Sequence, residues 1–355
     1  MVSTTRSLFL ALSLTLALSA RDPFPIGASS VPEASRLDLD LPVPAGPSDA
    51  ATFIPVSVFH GARPGPVLAI TLGIHGYEFP PILAGQRLLD RLDPRQLSGT
   101  LILVRLAHVE AFRHRAVFYN PSDRKNLNRV FPGRPDGSQS ERIAHVLSQE
   151  IIRRAELHID IHSGDGAELL EPFAGIYGGK LAASQYPRSR EMGLAFGLRN
   201  VITYPMDTQD QVDRGRSCNR QAVAQGLPTV LIEIGENGRT DESFVAPLLD
   251  GLLNLLRTLK MIPGPPRPLR RDTTLFHKTT HGSATKNGIL YPALRPGPIR
   301  RGALIGTVRD YAHHVLEEIT SPVDGFIQYM QAGPPINAGD SAATIALPES
   351  HARTP

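Results

Sequence analysis

A chain of 355 residues is long enough for one large domain with a substantial core and a smaller companion. With 41% hydrophobic and 20% charged residues it has the make-up of a globular protein, which excludes a disordered or fibrous chain. The net charge of +3, without a basic run interleaved with aromatics, gives no support for a nucleic-acid partner, and a single cysteine, Cys218, excludes an internal disulfide and a thiolate metal cluster. Any metal must therefore be held by His, Asp or Glu.

At the N-terminus, Arg6, the apolar run at 8–18 and the small residues Ser19 and Ala20 have the layout of a secretory signal. Residues 1–20 are predicted as a cleaved leader, giving a periplasmic or secreted mature protein. The run is shorter than the roughly 20 residues that span a bilayer, and no later stretch is apolar enough, so no stable membrane span is expected. Residues 21–50, rich in Pro, Ala, Ser and Asp, read as a linker leading into an edge strand.

From 51 to 262 apolar runs alternate with helical patterns. Residues 67–72 read as a buried parallel strand ending at Gly73, 82–92 as a helix and 101–106 as a second strand. Ser138 and Glu141 stand in the order of a capping box, ahead of an apolar helical stripe at Ile143, Val146, Leu147 and Ile151. Strands are predicted at 157–161, 201–204 and 229–234, and a strongly amphipathic helix over 244–259 closes the unit. This alternation predicts an α/β fold, a mostly parallel sheet flanked by helices. The Pro-rich linker 263–272 follows. Over 273–348 short strands separated by Gly and Pro turns predict a small all-β barrel or sandwich domain, with no catalytic cluster in it.

Three motifs carry chemistry. In GIHGYE at 73–78, His75 and Glu78 follow directly on a buried strand, where sites form in open α/β sheets. A second strand, LHIDIHSG at 157–164, ends in His162. Two imidazoles and one carboxylate leave one position of a zinc tetrahedron open for water, the catalytic arrangement. Asp160 alternates with His162 on one face of its strand and is placed to orient the imidazole. In KNLNRVFPG at 125–133, Asn128 and Arg129 offer a planar guanidinium suited to a carboxylate, and Arg113 or Arg115 upstream could pair an anionic group or polarise a carbonyl. In TVLIEIGENG at 229–238, Glu233 ends a buried strand. Strand alternation favours it over Glu236 as the group that takes a proton from water and delivers it to a leaving amine. The polar segment 206–220 is a candidate substrate-side loop, and Cys218 reads as an ordinary buried thiol.

On H-G-x-E at 75–78, L-N-R-x-F-P-G at 127–133, D-x-H-S at 160–163 and E-x-G at 233–235, residues 50–345 resemble the succinylglutamate desuccinylase/aspartoacylase family, relatives of the zinc carboxypeptidases. The resemblance implies one Zn2+ per chain on His75, Glu78 and His162. It implies Glu233 as general base and acid, Arg129 with Asn128 on the substrate carboxylate, and Arg115 polarising the scissile carbonyl. The expected activity is hydrolysis of the amide of an N-acyl amino acid or a related small carboxylate-bearing amide. The alternatives are a periplasmic zinc carboxypeptidase acting on peptides or cell-wall stems, and a non-catalytic ligand-binding module. A homo-oligomer is compatible with the sequence.

Overall fold

In the computed structural model, which describes residues 21–213 and 216–349, the apolar run at 67–72 is the buried half of the strand Arg63–Leu72. This strand lies between Ser98–Val104 and Leu157–His162, parallel to both. Burial on both faces is why the three read as continuous apolar runs rather than as alternating ones. Thr229–Glu233 extends the parallel ladder next to Leu157–His162 and sets Glu233 opposite His162. Beyond it the direction reverses. Phe173–Gly178 is antiparallel to Thr229–Glu233, and Asn200–Pro205 and Thr274–Ser283 then run parallel to Phe173–Gly178. The leader expected at 1–20 lies outside the described residues, among which no helix is long and apolar enough to cross a membrane.

Helices cover both faces of this mixed sheet. Phe79–Leu89, Tyr186–Phe196 and Glu242–Thr258 pack Leu88, Phe196 and Leu252 against Leu72 and Ile159 on one side. Gln139–Val146 and Cys218–Ala224 bring Ile143 and Ala222 against Val56 and Ile102 on the other. Each large apolar side chain so buried contributes about 1.5–3 kcal/mol.

The capping box forms. The Ser138 N–H donates to Glu141 Oε2 at 3.0 Å, and Lys125 Nζ reaches the same oxygen at 2.9 Å. The Lys125 contact first, and the Ser138 donors after it, hold the Glu141 carboxyl down at about 2, against the effect of burial. The folded value lies below the ordinary 4.5, so the stabilisation is complete above 4.5 and is lost as pH falls from there toward 2. Lys125 is well exposed, which limits the effect. Glu141→Gln is expected to cost about 1–2 kcal/mol at pH 7. The variant's melting temperature, followed by circular dichroism, should fall less between pH 5 and pH 3 than that of the parent. Parallel slopes would assign the acid sensitivity to other carboxylates.

Residues 21–50 are not a linker. They hold the strands Phe24–Ile26, Ser29–Val31 and Ser35–Val43, and the last pairs along its whole length with Thr52–His60 at the sheet edge. The alternation of Leu37, Leu39 and Leu41 with Arg36, Asp38 and Asp40 is an edge-strand pattern that the Pro- and Asp-rich composition masks. Asp49 closes the segment with a buried ion pair to Arg142.

The C-terminal strands are antiparallel and continue the main sheet. Thr274–Ser283 is followed across it by Ser341–Pro348, Gly325–Gln331 and Gly297–Ile299. A second sheet, built from Gly288–Pro292, Leu304–Arg309, Val315–Thr320 and Pro335–Ile336, shares a core of Leu290, Ile305, Val308, Ile327 and Ile345 with the first. Gly325–Gln331 also pairs with Glu168–Leu170, so the tail is joined to the front of the chain beside the ends of its parallel strands.

Candidate metal centre and active site

The turn after Arg63–Leu72 positions two donors. Gly73 sits at φ +67°, in the left-handed region that favours glycine. A Cβ on Gly76 would stand 2.2 Å from the Ala111 carbonyl carbon, so only glycine lets the turn pack this closely on the backbone below. The turn delivers His75, and Glu78 follows immediately before the helix Phe79–Leu89.

His75 Nδ1 lies 2.6 Å from Glu78 Oε1, and His162 Nδ1 lies 2.9 Å from Glu78 Oε2. The ligand atoms of the three residues all fall within 4.8 Å of one another. The outward nitrogens meet oxygens: His75 Nε2 is 3.2 Å from Asn126 Oδ1, and His162 Nε2 is 3.0 Å from Oδ2 of the buried Asp160. The Asn126 acceptor behind the His75 ring favours the proton on Nε2 and turns the Nδ1 lone pair to the centre, and the Asp160 carboxylate at ion-pair distance behind His162 favours the same arrangement there, as in metal-ligating histidines. Burial opposes the charge on Glu78, but His162 and His75 hold its carboxyl at about 2. Burial likewise works against His162⁺, yet Glu78 and Asp160 raise its proton affinity well above the usual range. Two imidazole nitrogens and a carboxylate oxygen facing one another fit a divalent ion with an open position.

These residues open onto a cavity of about 510 Å³. Glu233 reaches it from the neighbouring strand, 5% exposed, with no hydrogen-bond partner for Oε2 among the described residues. Burial, reinforced by the charge of Glu78, pushes its carboxyl well above the usual carboxylate range, while His162 pulls the other way. Glu236 is occupied elsewhere. Arg295 of the C-terminal strands reaches its two oxygens at 3.0 and 3.1 Å, and Arg239 lies 3.3 Å away.

Asn128 and Arg129 both line the cavity. Asn128 Oδ1 accepts the Cys218 N–H at 2.9 Å, so the L-N-R loop also anchors the start of the helix Cys218–Ala224 and brings Asn219 and Arg220 to the wall. Asn126 is shared in the same way: its Oδ1 accepts the Asn128 N–H at 2.8 Å while facing His75. Arg115 is a correction. It is exposed, at φ +51°, and does not line the cavity, whose arginines are Arg129 and Arg220. Arg220 lies in the polar segment already marked as a substrate-side loop.

The C-terminal strands were expected to hold no catalytic cluster, yet Tyr329, Gln331 and Thr344 form part of the wall, and Tyr329 stands close enough to Glu233 for each to shift the other's proton affinity. A tyrosine in an alternating strand looks like core, so nothing local could have marked it. Cys218 is fully buried, and burial raises its thiol well above the ordinary value.

Comparison with known proteins agrees with this geometry. Residues 64–259 match the family model described as the succinylglutamate desuccinylase/aspartoacylase catalytic domain. A relative named N-alpha-acetyl-L-2,4-diaminobutyric acid deacetylase, from Halomonas elongata, is 28% identical over 91% of this chain and 95% of its own length. A succinylglutamate desuccinylase from Pseudomonas paraeruginosa is 32% identical over 43% of this chain and 49% of its own. Among solved structures, the product-bound ectoine utilization protein EutE from Ruegeria pomeroyi superposes with a TM-score of 0.79 at 23% identity, covering 89% of this chain and 97% of that one, and so shares its fold. With its central sheet, flanking helices and antiparallel C-terminal strands, the chain belongs to the succinylglutamate desuccinylase/aspartoacylase family.

Proposed function

We propose that this protein is a zinc-dependent deacylase that hydrolyses the amide bond of an N-acyl amino acid. One observation carries the reading: a His, Glu, His donor set and a buried carboxylate, Glu233, that has no ion-pair partner among the described residues converge on a single cavity. The relatives' names, deacetylase and desuccinylase, support the same class. Zinc held by His75, Glu78 and His162 would supply a Lewis acid and a water acidified to near neutrality.

The chain's own residues do the rest. Glu233, with its raised proton affinity, accepts the proton of the attacking water and returns it to the leaving nitrogen. Tyr329 shares the cavity wall with Glu233 and influences its proton affinity. Arg129 and Arg220 receive the substrate carboxylate. Asn126 and Asp160 fix the two imidazoles. The wall contributed by the C-terminal strands leaves a volume suited to a small acylated amino acid rather than to an extended peptide. The leader read at residues 1–20 would place this chemistry outside the cytoplasm.

The test is a panel of N-acetyl and N-succinyl amino acids and short peptides with zinc-loaded protein, followed by release of the free amine. Acyl amino acids should be cleaved, and a chelator should abolish the activity until zinc is restored. Cleavage of peptides alone, or turnover indifferent to the chelator, would overturn the assignment.

A further inference from the structure

A row of aromatic side chains for which the proposed chemistry has no use runs from the cavity to the surface beside the metal turn. Tyr77 and Phe79 follow His75 in that turn with ring centroids 5.0 Å apart, and Phe79 meets Phe112 edge-on at 5.9 Å. Phe118 lines the cavity and packs against Tyr119 at 4.5 Å. Gly166 joins the two groups: an added Cβ there would stand 3.3 Å from Val117 and 3.6 Å from the Tyr77 ring. Phe112 is 37% and Tyr119 53% exposed, so the five rings make one apolar ledge with its outer edge in water. Single exposed apolar side chains are ordinary, but a contiguous set that leads into a binding cavity marks an apolar ligand.

The ledge is anchored at both ends. The Ala116 N–H donates to the Ala111 carbonyl at 2.9 Å, and the Asn120 N–H donates to the Lys125 carbonyl at 2.8 Å. Asn120 Nδ2 also donates to Gln139 Oε1 at 3.0 Å, so residues 117–119 span two fixed points. The rings are presented ready-made, which limits the ordering cost of binding.

The order of the strands says which part of a substrate meets the ledge. Neighbours across the sheet run Thr229–Glu233, Leu157–His162, Arg63–Leu72, Ser98–Val104, all parallel. Their C-terminal ends therefore set Glu233, His162, the turn of His75 and Glu78, and the segment carrying Phe112 and Phe118 one after another along one edge. Glu233, which serves the leaving nitrogen, stands on one side of the metal ligands and the ledge on the other. Asn126 ties the ledge to the centre, with Oδ1 3.2 Å from His75 Nε2 and a backbone bridge to Tyr119. The amine side of the scissile bond faces Glu233, and the acyl side faces the rings.

We propose that Tyr77, Phe79, Phe112, Phe118 and Tyr119 form an acyl subsite, and that the substrate is an amino acid acylated by an apolar chain or an aryl group rather than by acetyl. This rests on the deacylase reading of the same cavity. The N-acetyl, N-hexanoyl and N-phenylacetyl derivatives of glutamate, and the same three of alanine, test it. Each methylene withdrawn from water is worth about fourfold in an equilibrium constant, so four half-covered ones give about tenfold. The hexanoyl and phenylacetyl compounds should exceed the acetyl compound in kcat/KM by at least about that factor, mostly through KM. Phe118→Ala and the surface substitution Tyr119→Ser should each move the ratio toward one.

Calorimetric titration of the Glu233→Gln variant with the hexanoyl and acetyl compounds gives a readout that does not depend on turnover. It should show a similar preference for hexanoyl, and the E233Q/F118A double variant should lose most of it. Hydrolysis with acetyl equal or preferred overturns the subsite and leaves the deacylase reading standing. A hexanoyl preference in binding, without hydrolysis of any acyl amino acid by the parent protein, does the reverse. Neither hydrolysis nor preference removes both.

Discussion

Glu233→Gln is expected to lower kcat by about three orders of magnitude, within the range that a positioned acid–base group contributes. Bound zinc should be unchanged when measured by elemental analysis. The amide keeps the volume and the contact with Tyr329 but cannot take a proton from water. Among the described residues Glu233 has no ion-pair partner to abandon, so the substitution strands no opposite charge, and the melting temperature should hold or rise. The pH profile separates this role from a structural one. Activity must rise with pH as Glu233 deprotonates, and that limb should vanish from the residual activity of the variant. A variant within tenfold of the parent rate would move the acid–base role to another group.

Glu78→Gln tests the metal centre itself. It removes the carboxylate that faces both imidazoles, at 2.6 and 2.9 Å. Partners behind a ligand are worth about 10- to 100-fold in metal affinity. Loss of the ligand should exceed that, and zinc should be lost to a competing chelator under conditions where the parent retains it. Asp160→Asn, which changes only the group behind His162, should fall between the two. Equal zinc retention by all three proteins would exclude these residues as the site.

Much of this arrangement can be read from the sequence where a local pattern is tied to a physical need. The strands around Arg63–Leu72 and Leu157–His162 are continuous apolar runs because both faces are buried, and His75, Glu78 and His162 sit where those runs stop. Phe173–Gly178 had no such signal. Its glycines replace strand-forming side chains, and at Gly175 an added Cβ would stand 2.8 Å from the Tyr204 ring. The edge strand Ser35–Val43 was hidden by its charges.

The site residues that went unseen are the non-local ones. Order along the chain pointed to Arg115, whereas the wall holds Arg220, on a helix whose first N–H is bonded to Asn128 across 90 positions of sequence. The choice between Glu233 and Glu236 could be made from strand alternation. Its physical basis, the pairing of Glu236 with Arg295, is visible only in three dimensions.

The way Glu168–Leu170 zips onto Gly325–Gln331 bears on how such a protein can be re-engineered. Its front and back are not interchangeable modules, because the seam between them runs through the binding pocket. A chimera that swaps everything after residue 272 would exchange Tyr329, Gln331 and Thr344 together with the strand that braces Glu168. Selectivity would travel with the graft, while the metal-holding residues stayed behind.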